Sequence, residues 1–421
     1  MADSLCSSAQ PIVRTYLFHL YAARGVRGFG DGFAVIILPA YLTTLGYTPF
    51  QIGLVATAAL LGSALLTLAV GFFAPRHDLR TLLIAGAGLM VATGLAFPSS
   101  GHIAFILLVA FVGTINPSTG DSGVLVPLEH AMIAQGVEAR GRTDAFARYS
   151  LIGALAGAAG ALSAAAPDFL VAGGLDQLTA FRIMFYGYGA LGLVGAALYR
   201  RLPHVEMHEA ERSAPLGPSR GIVYRLAALF SLDSFAGGFA VQSLVALWLF
   251  ERFDLSLAAA SLFFFWSGVL GAFSFPVAAR LAARIGLINT MVFTHIPSSV
   301  FLIFAAISPN LYLTLGLLLA RSALSQMDVP TRTSYVMAVV TPGERTAAAS
   351  VTAVPRSLAS SLSPALAGAL LATPFSGLPL VACGVLKIVY DLALLYMFRH
   401  VKPPEERVHP SPRSGEGAEP S

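Results

Sequence analysis

Charge is scarce in this chain: only 11% of its 421 residues are Asp, Glu, Lys or Arg, whereas an ordinary soluble domain carries about a quarter. That excludes a soluble globular protein. Cysteine is nearly missing. Cys6 and Cys383 stand far apart with no metal-ligand spacing, which excludes a secreted disulfide scaffold and a thiolate metal site. Lysine is almost absent too, since all but two of the 26 basic residues are Arg. There is no His-Glu-x-x-His, no phosphate loop with its Lys, and no Ser, His and acid set that the sequence could bring together. The expectation is therefore no enzyme, no metal and no cofactor. The basic residues sit in short loops and form no stripe, so nucleic acid is not an expected partner.

What the chain does have is apolar length. Hydrophobic residues make up 56% of it, and a bilayer-crossing helix needs about 20 in a row. Segments bounded by Gly, Pro and charge are predicted as helices over 16–45, 50–73, 80–97, 103–134, 142–165 and 178–201. A second six follow over 222–251, 256–279, 285–306, 310–340, 345–371 and 376–399. The reading is an all-α polytopic membrane protein of twelve transmembrane helices. It divides into a leading segment 1–15, a bundle 16–201, a polar linker 202–221, a bundle 222–399 and a tail 400–421. The Pro, Glu and Ser content of the tail predicts disorder.

Loop charge predicts orientation. Alternate loops carry Arg76 and Arg80, Arg140 and Arg142, Arg200 to Arg220, Arg280 and Arg284, Arg345, and Arg399 with Lys402. The intervening loops are nearly bare, with only Arg182 and Arg252 close to them. Both termini and the linker are thus expected in the cytoplasm of a cell (inner) membrane protein. No cleavable signal is expected, because Arg24 and Arg27 interrupt the first apolar stretch.

The two sets of six are repeats. Gly32-Phe33-Ala34-Val35 recurs as Gly238-Phe239-Ala240-Val241, displaced by 206 residues. Val126-Pro127 recurs as Val329-Pro330 and Arg142-Thr143 as Arg345-Thr346, both displaced by 203. Two independent anchors at nearly one offset point to pseudo-symmetric halves of like orientation.

After the second segment comes Gly71-Phe72-Phe73-Ala74-Pro75-Arg76-His77-Asp78-Leu79-Arg80. It is similar to the major facilitator signature Gly-x-Leu-Ala-Asp-Arg-x-Gly-Arg-Arg/Lys at Gly71, Ala74, Arg76 and Arg80, but Pro75 replaces the acid. Asp78, three residues on, is a candidate substitute for it in the family's conformational charge lock. The second half has Leu281-Ala282-Ala283-Arg284-Ile285-Gly286, matching at Arg284 and Gly286 and again lacking the acid. The chain resembles the major facilitator superfamily (MFS) over about residues 14–400. That resemblance implies a monomeric secondary transporter whose solute sits between rocking halves near the midplane. The antiporter signature of the fifth helix survives only as Gly153-x-x-x-Gly157 followed by Ala158, with a looser echo at Ser363-Pro364-x-x-Ala367-Gly368, so drug antiport has no motif support.

Ionisable groups inside the spans each need a partner or water, since insertion costs roughly 2.5–3.5 kcal/mol apiece. Arg24, Arg27 and Asp31 share one stripe of the first helix, and Arg321, Asp328 and Arg332 repeat that spacing in the tenth. Asp121 and Glu129 mark the fourth, Asp233 the seventh and Arg356 the eleventh. In repeat register Arg27 corresponds to Asp233, and Glu129 to Arg332. These are candidate ion pairs between the halves, against the plainer alternative that each is neutralised within its own half, for example Arg27 by Asp31. Gly187-Tyr188-Gly189-Ala190-Leu191-Gly192 fits a dinucleotide fingerprint but lies in an apolar span, so it reads as helix packing. His295 reads as a packing residue, and Lys387 with Asp391 as a local pair.

The arginines favour a small organic anion or zwitterion as solute, with protons as coupling partners. Asp31 is the first candidate for carrying the proton, with Arg27 switching between it and Asp233, and Asp328 is the second. The alternatives are efflux of hydrophobic drugs or cations by proton antiport, recognised by Asp31, Asp121, Asp233 and Asp328, or a transport-dead sensor or scaffold of the same fold.

Overall fold

A computed structural model describes residues 2–73, 77–118, 123–137, 141–204 and 216–401. The first half comprises α1 (Ala2–Thr44), α2 (Pro49–Phe73), α3 (Leu79–Ala96), α4 (Ile103–Val112), α5 (Leu125–Gly136), α6 (Arg142–Ser163), α7 (Ala166–Ala172) and α8 (Gln177–Tyr199). The second comprises α9 (Arg220–Gly238), α10 (Gln242–Phe253), α11 (Leu257–Ile285), α12 (Leu287–Ile307), α13 (Leu311–Ser325), α14 (Asp328–Val339), α15 (Arg345–Leu371) and α16 (Leu378–Phe398). Short polar side chains start several of them: Asp78, Asp176, Ser256 and Asn310 each accept an amide of the first turn of α3, α8, α11 and α13, satisfying donors that have no intrahelical partner. Residues 2–15, set apart in the sequence as a leading segment, continue α1. Residues 205–215 of the linker and 402–421 of the tail lie outside the described residues.

Nine helical stretches among the described residues are long and apolar enough to cross a bilayer. The fourth and tenth predicted segments are not among them, because each is two helices with an interruption, and neither is the eleventh, the single more polar helix α15; the seventh counts as one stretch although it is α9 followed by α10. This corrects the expectation of continuous helices. The physical cause is local. In the fourth segment Gly113 ends α4 and the Asn116 side chain accepts the Ser118 amide at 3.0 Å, a turn that competes with helix. The repeated Val-Pro then opens the second piece in both halves: Pro127 is the third residue of α5, and Pro330 the third of α14. Proline is tolerated there because the missing amide would have no helical partner. In the seventh segment the break follows Gly237 and Gly238.

The halves meet along two seams, α2 against α15 and α6 against α11. One large buried apolar cluster spans both halves on the side away from the linker, joining Phe33–Leu42 of α1 to Val241–Leu249 of α10. On the linker side each half instead has its own cluster, one around Tyr16, Leu83 and Tyr199 and the other around Val223, Tyr335 and Leu394. The joined side is stitched by three polar contacts across the halves. The Ser243 amide donates to the Pro117 carbonyl at 3.0 Å, the Ala258 amide to Asp168 at 3.2 Å, and the Ala365 amide to the Thr57 hydroxyl at 3.0 Å. Outward faces are apolar, with Leu108, Leu193, Phe273 and Phe293 exposed, as hydrocarbon solvent allows.

Close backbone approach sets both the halves and the seam. Gly32 of α1 lies on the Gly157 backbone of α6, and Gly368 of α15 lies on the Pro49 carbonyl, so near that a Cβ at either would overlap it. Gly368→Val is therefore expected to destabilise the protein by about 1–3 kcal/mol through overpacking, read as a lower melting temperature of the purified protein. An unchanged melting temperature would show that the α2–α15 seam yields freely.

Glu344, in the turn before α15, ties the end of the linker to the second half. It accepts from the Ser219 and Thr341 hydroxyls and the Gly217 amide, and these hydrogen bonds draw its carboxyl down to about 2. A carboxyl depressed on folding contributes stability above its unfolded value, near about 4.3, and loses that contribution as pH falls through the folded one. Glu344→Gln should remove the part of the acid sensitivity that falls in this window. Superimposable profiles of melting temperature against pH for the two proteins would refute the tie.

Candidate functional site

Each half buries one arginine–carboxylate pair between its first and fourth segments. In the first half the Arg27 guanidinium of α1 donates to Glu129 of α5, a residue with no exposure at all. The Tyr149 hydroxyl of α6 accepts from Arg27 at 2.9 Å and donates to Glu129. Tyr199 of α8 donates to the other Glu129 oxygen at 2.6 Å. In the second half Arg332 of α14 meets Asp233 of α9 at 3.0 Å and Asp328 at 3.2 Å. Lys387 of α16 meets Asp233 from the other side at 2.6 Å.

These positions correct the inter-half reading. Arg27 does not pair with Asp233, nor Glu129 with Arg332, and Asp31 is not the partner of Arg27. The repeat relation instead places the same pair at the same location in both halves with the charges exchanged: arginine on the first helix and acid on the fourth in one, acid on the seventh and arginine on the tenth in the other. The reason is economy of solvation. Breaking a buried pair costs about 3–5 kcal/mol, so each rigid half neutralises its own charge.

Asp31 stands apart from these pairs. Its carboxylate accepts from the Tyr188 hydroxyl at 3.3 Å, and Tyr188 shares a 3.1 Å hydrogen bond with Thr114 at the interruption after α4. No cation among the described residues lies within salt-bridge distance of it. Asp31 lines a recess of about 390 Å³ with Arg27, Ser63, Leu66, Thr114 and Tyr188. Across the seam, α2 and α15 run antiparallel from the Thr57–Ala365 contact, so nine residues on along α2 and nine back along α15 bring Leu66 level with Arg356. Arg356 itself is not among the residues that line the recess. Its guanidinium donates to the Ser234 hydroxyl at 3.0 Å and meets no carboxylate within salt-bridge distance among the described residues.

The remaining sequence candidates separate clearly. Arg24 lies over the Tyr149 ring at 5.1 Å, a cation–π contact, and completes the first-half cluster. Arg321 is half-buried in α13, away from the Arg332 cluster. Asp121 lies outside the described residues, as do Ala74 and Arg76. Gly71 lies at the exposed end of α2. Asp78 caps α3 and holds His204 at 2.9 Å, and Arg80 meets the other ring nitrogen at 3.0 Å, so this loop is tied to the start of the linker within its own half. Gly286 has φ +87°, a backbone region suited to glycine, and Arg284 is exposed beside it.

Sequence reasoning gave no role to Tyr149 of α6 or to Tyr188 and Tyr199 of α8, because the carboxylates they meet, Asp31 of α1 and Glu129 of α5, lie on other helices and leave no spacing signal. The Gly187–Gly192 run does pack α8 on α3, through Gly189 and Gly192, while Tyr188 within it serves Asp31. Lys387 and Asp391 are not a local pair. Lys387 reaches Asp233, and Asp391 holds His295 at 3.0 Å, so His295 is more than a packing residue. The signal was there in Lys387, one of only two lysines and the one placed in an apolar span.

A double-mutant cycle tests the pairing. Arg27→Gln and Glu129→Gln should each destabilise the protein by about 3–5 kcal/mol, with the double substitution costing clearly less than their sum. Arg27→Gln with Asp233→Asn should instead be additive, and strong coupling there would restore the inter-half pair.

Comparison with known proteins is consistent with this plan. The uncharacterized membrane protein YJR124C of Saccharomyces cerevisiae is 25% identical over 418 residues, covering 90% of this chain and 93% of that one. The nucleoside transporter NupG, as its D323A mutant, superposes with a TM-score of 0.74 at 14% identity over 91% of this chain and 100% of its own. The inward open xylose transporter XylE from E. coli gives 0.72 at 15% identity, over 93% and 97%. A family model described as Major Facilitator Superfamily matches residues 20–364, and the chain belongs to that superfamily of membrane transporters.

Proposed function

We propose that this transporter moves a small organic anion in a cycle coupled to protons, with Arg356 binding the anion and Asp31 carrying the proton. The observation behind this reading is one of pairing. Glu129, Asp233 and Asp328 are each held by a cation, whereas Asp31 has only Tyr188, and Arg356 only Ser234. A charged group without a counter-ion in a membrane interior is costly, and one such group of each sign, on opposite halves, is suited to taking up a proton and an anion. Arginine presents a planar fork that matches carboxylate and phosphate. The Arg-rich loops support a cytoplasmic linker side and cytoplasmic termini. On that orientation the joined apolar cluster closes the outer side, and this conformation faces inward.

Flux in proteoliposomes tests both assignments, with a panel of radiolabelled carboxylates, phosphate esters, nucleosides, sugars and organic cations. Asp31→Asn is expected to abolish accumulation driven by a proton gradient while leaving downhill exchange intact. Arg356→Gln is expected to raise the half-saturating concentration of the transported anion about tenfold or more. Accumulation that survives Asp31→Asn with unaltered pH dependence removes the first assignment, and transport confined to neutral or cationic solutes removes the second.

A further inference from the structure

A titratable row runs through the second half. Asp233 of α9, Lys387 of α16, His295 of α12 and Asp391 of α16 follow one another in contact. Lys387 Nζ lies 2.6 Å from Asp233 Oδ1 and 3.3 Å from His295 Nε2, and His295 Nδ1 lies 3.0 Å from Asp391. The two members at the imidazole end are buried, His295 at 3% exposure and Asp391 at 0%. Hydrogen-bond logic fixes the resting state. An ammonium has donors only, so Nε2 must accept from Lys387, and the proton of the neutral ring must be on Nδ1, donated to Asp391.

We infer that His295 is a second proton site, and that its protonation brings it onto Asp233 in competition with Lys387. A proton added at Nε2 would face the Lys387 ammonium donor to donor. The acceptor within reach is Asp233 Oδ1, already 3.9 Å from Nε2. The imidazolium then bridges Asp391 and Asp233, two carboxylates, and Lys387 loses its contact with Nε2 and shares Asp233 Oδ1 with the ring. The Lys387 ammonium stands beside Gly237, where the seventh segment breaks between α9 and α10, so one proton at His295 weakens the hold of Asp233 on a charge at the break. The proton comes from hydronium of the surrounding solution, whose O–H bond breaks as the Nε2–H bond forms and which leaves as water.

The surroundings of His295 decide whether this balance is fine enough to switch. From α16 it meets Lys387, Asp391 and the edge of the Tyr390 ring, whose buried hydroxyl has no hydrogen-bond partner. From α9 comes Asp233. From α14, Arg332 and Asp328 lie one contact further, with Arg332 holding the other Asp233 oxygen. Arg356 of α15 reaches Ser234, next in chain to Asp233, and Arg321 of α13 lies behind Ser298. The charged residues of α11, Arg280 and Arg284, lie at its far end. Arg332 keeps Asp233 anchored through one oxygen, so the approach of His295 to the other oxygen leaves the α9–α14 pair intact. The site stands independently of Asp31 and Arg356, and it holds whichever solute is carried.

Nitrogen NMR of the full chain labelled with ¹⁵N-histidine in lipid nanodiscs reads this directly, with protons as the only ligand. The His295 signals are assigned by their loss in His295→Gln. In the unsubstituted protein at about pH 9 the ring is expected as the Nδ1–H tautomer, and at about pH 5 as the doubly protonated ring. Spectra of Lys387→Gln and Asp391→Asn, each lacking one partner of the ring, should differ from those of the unsubstituted protein in the share of doubly protonated ring at a given pH. A purely structural histidine would show one protonation state across the range in all three proteins. That result, or an Nε2–H tautomer in the unsubstituted protein at the alkaline end, overturns the inference even if a substituted protein fails to fold.

Discussion

Burying charge away from water is the constraint on which this molecule is organised. An arginine and a carboxylate placed in a membrane interior must find each other or remain exposed to water, and here they find each other between the first and fourth helices of each half. Because Arg27 and Glu129 belong to one bundle and Asp233 and Arg332 to the other, neither pair has to break when the bundles move. Each half is thereby a self-neutralised body. What remains between them is apolar contact, backbone approach at glycine, and a few amide hydrogen bonds, all of which separate at lower cost than a desolvated ion pair.

The exchanged charges follow from that independence. A repeat inherited as a unit needs opposite charges at two positions of each copy, but nothing in the electrostatics of one bundle fixes which position is positive. Swapping both signs preserves the pair. It does change the neighbours each carboxylate must satisfy: Glu129 is held by two tyrosines besides Arg27, whereas Asp233 is shared between Arg332 and Lys387. The first arrangement is closed, with hydroxyl donors fixing both oxygens. The second gives one carboxylate two competing cations and places His295 within reach, so it has alternatives where the first has none.

Most of the architecture was legible because it rests on composition and periodicity. The scarcity of charge, the apolar runs and the recurrence of Gly32-Phe33 and Val126-Pro127 at offsets of 206 and 203 follow from the requirements of a bilayer and of duplication. The helix interruptions were less legible, although their cause was in view. Pro127 and Pro330 were used as repeat anchors, while their position in the first turn of α5 and α14 marks them equally as helix starts. The partners of the buried charges were not legible, since offset relates equivalent positions and carries no information on contact. Arg27 and Asp233 are equivalent, and equivalent positions in two rigid bundles meet only if both face the axis between them. Here both turn inward to their own fourth helix.

The same reasoning explains why Asp31 and Arg356 differ from the charges around them. Asp31 lies one turn beyond Arg27 on the same stripe, and a local pair was the simple expectation. Glu129 and Tyr149 have claimed the Arg27 guanidinium, however, and the interruption of the fourth segment opens backbone and Thr114 beside Asp31. A helix break near the middle of a bilayer is tolerated only where it is buried in protein or lines a cavity, so the element that deprives Asp31 of a cation also gives it a recess. Arg356 is left similarly by α15, a serine-rich helix that must serve two neighbours at once. It presents small residues to α2 across the seam and to α9 within its half, and the single hydroxyl of Ser234 leaves most of the guanidinium donors of Arg356 unengaged. Asp31 on one half and Arg356 on the other thus stand outside the self-contained pairs formed by Arg27 with Glu129 and Arg332 with Asp233.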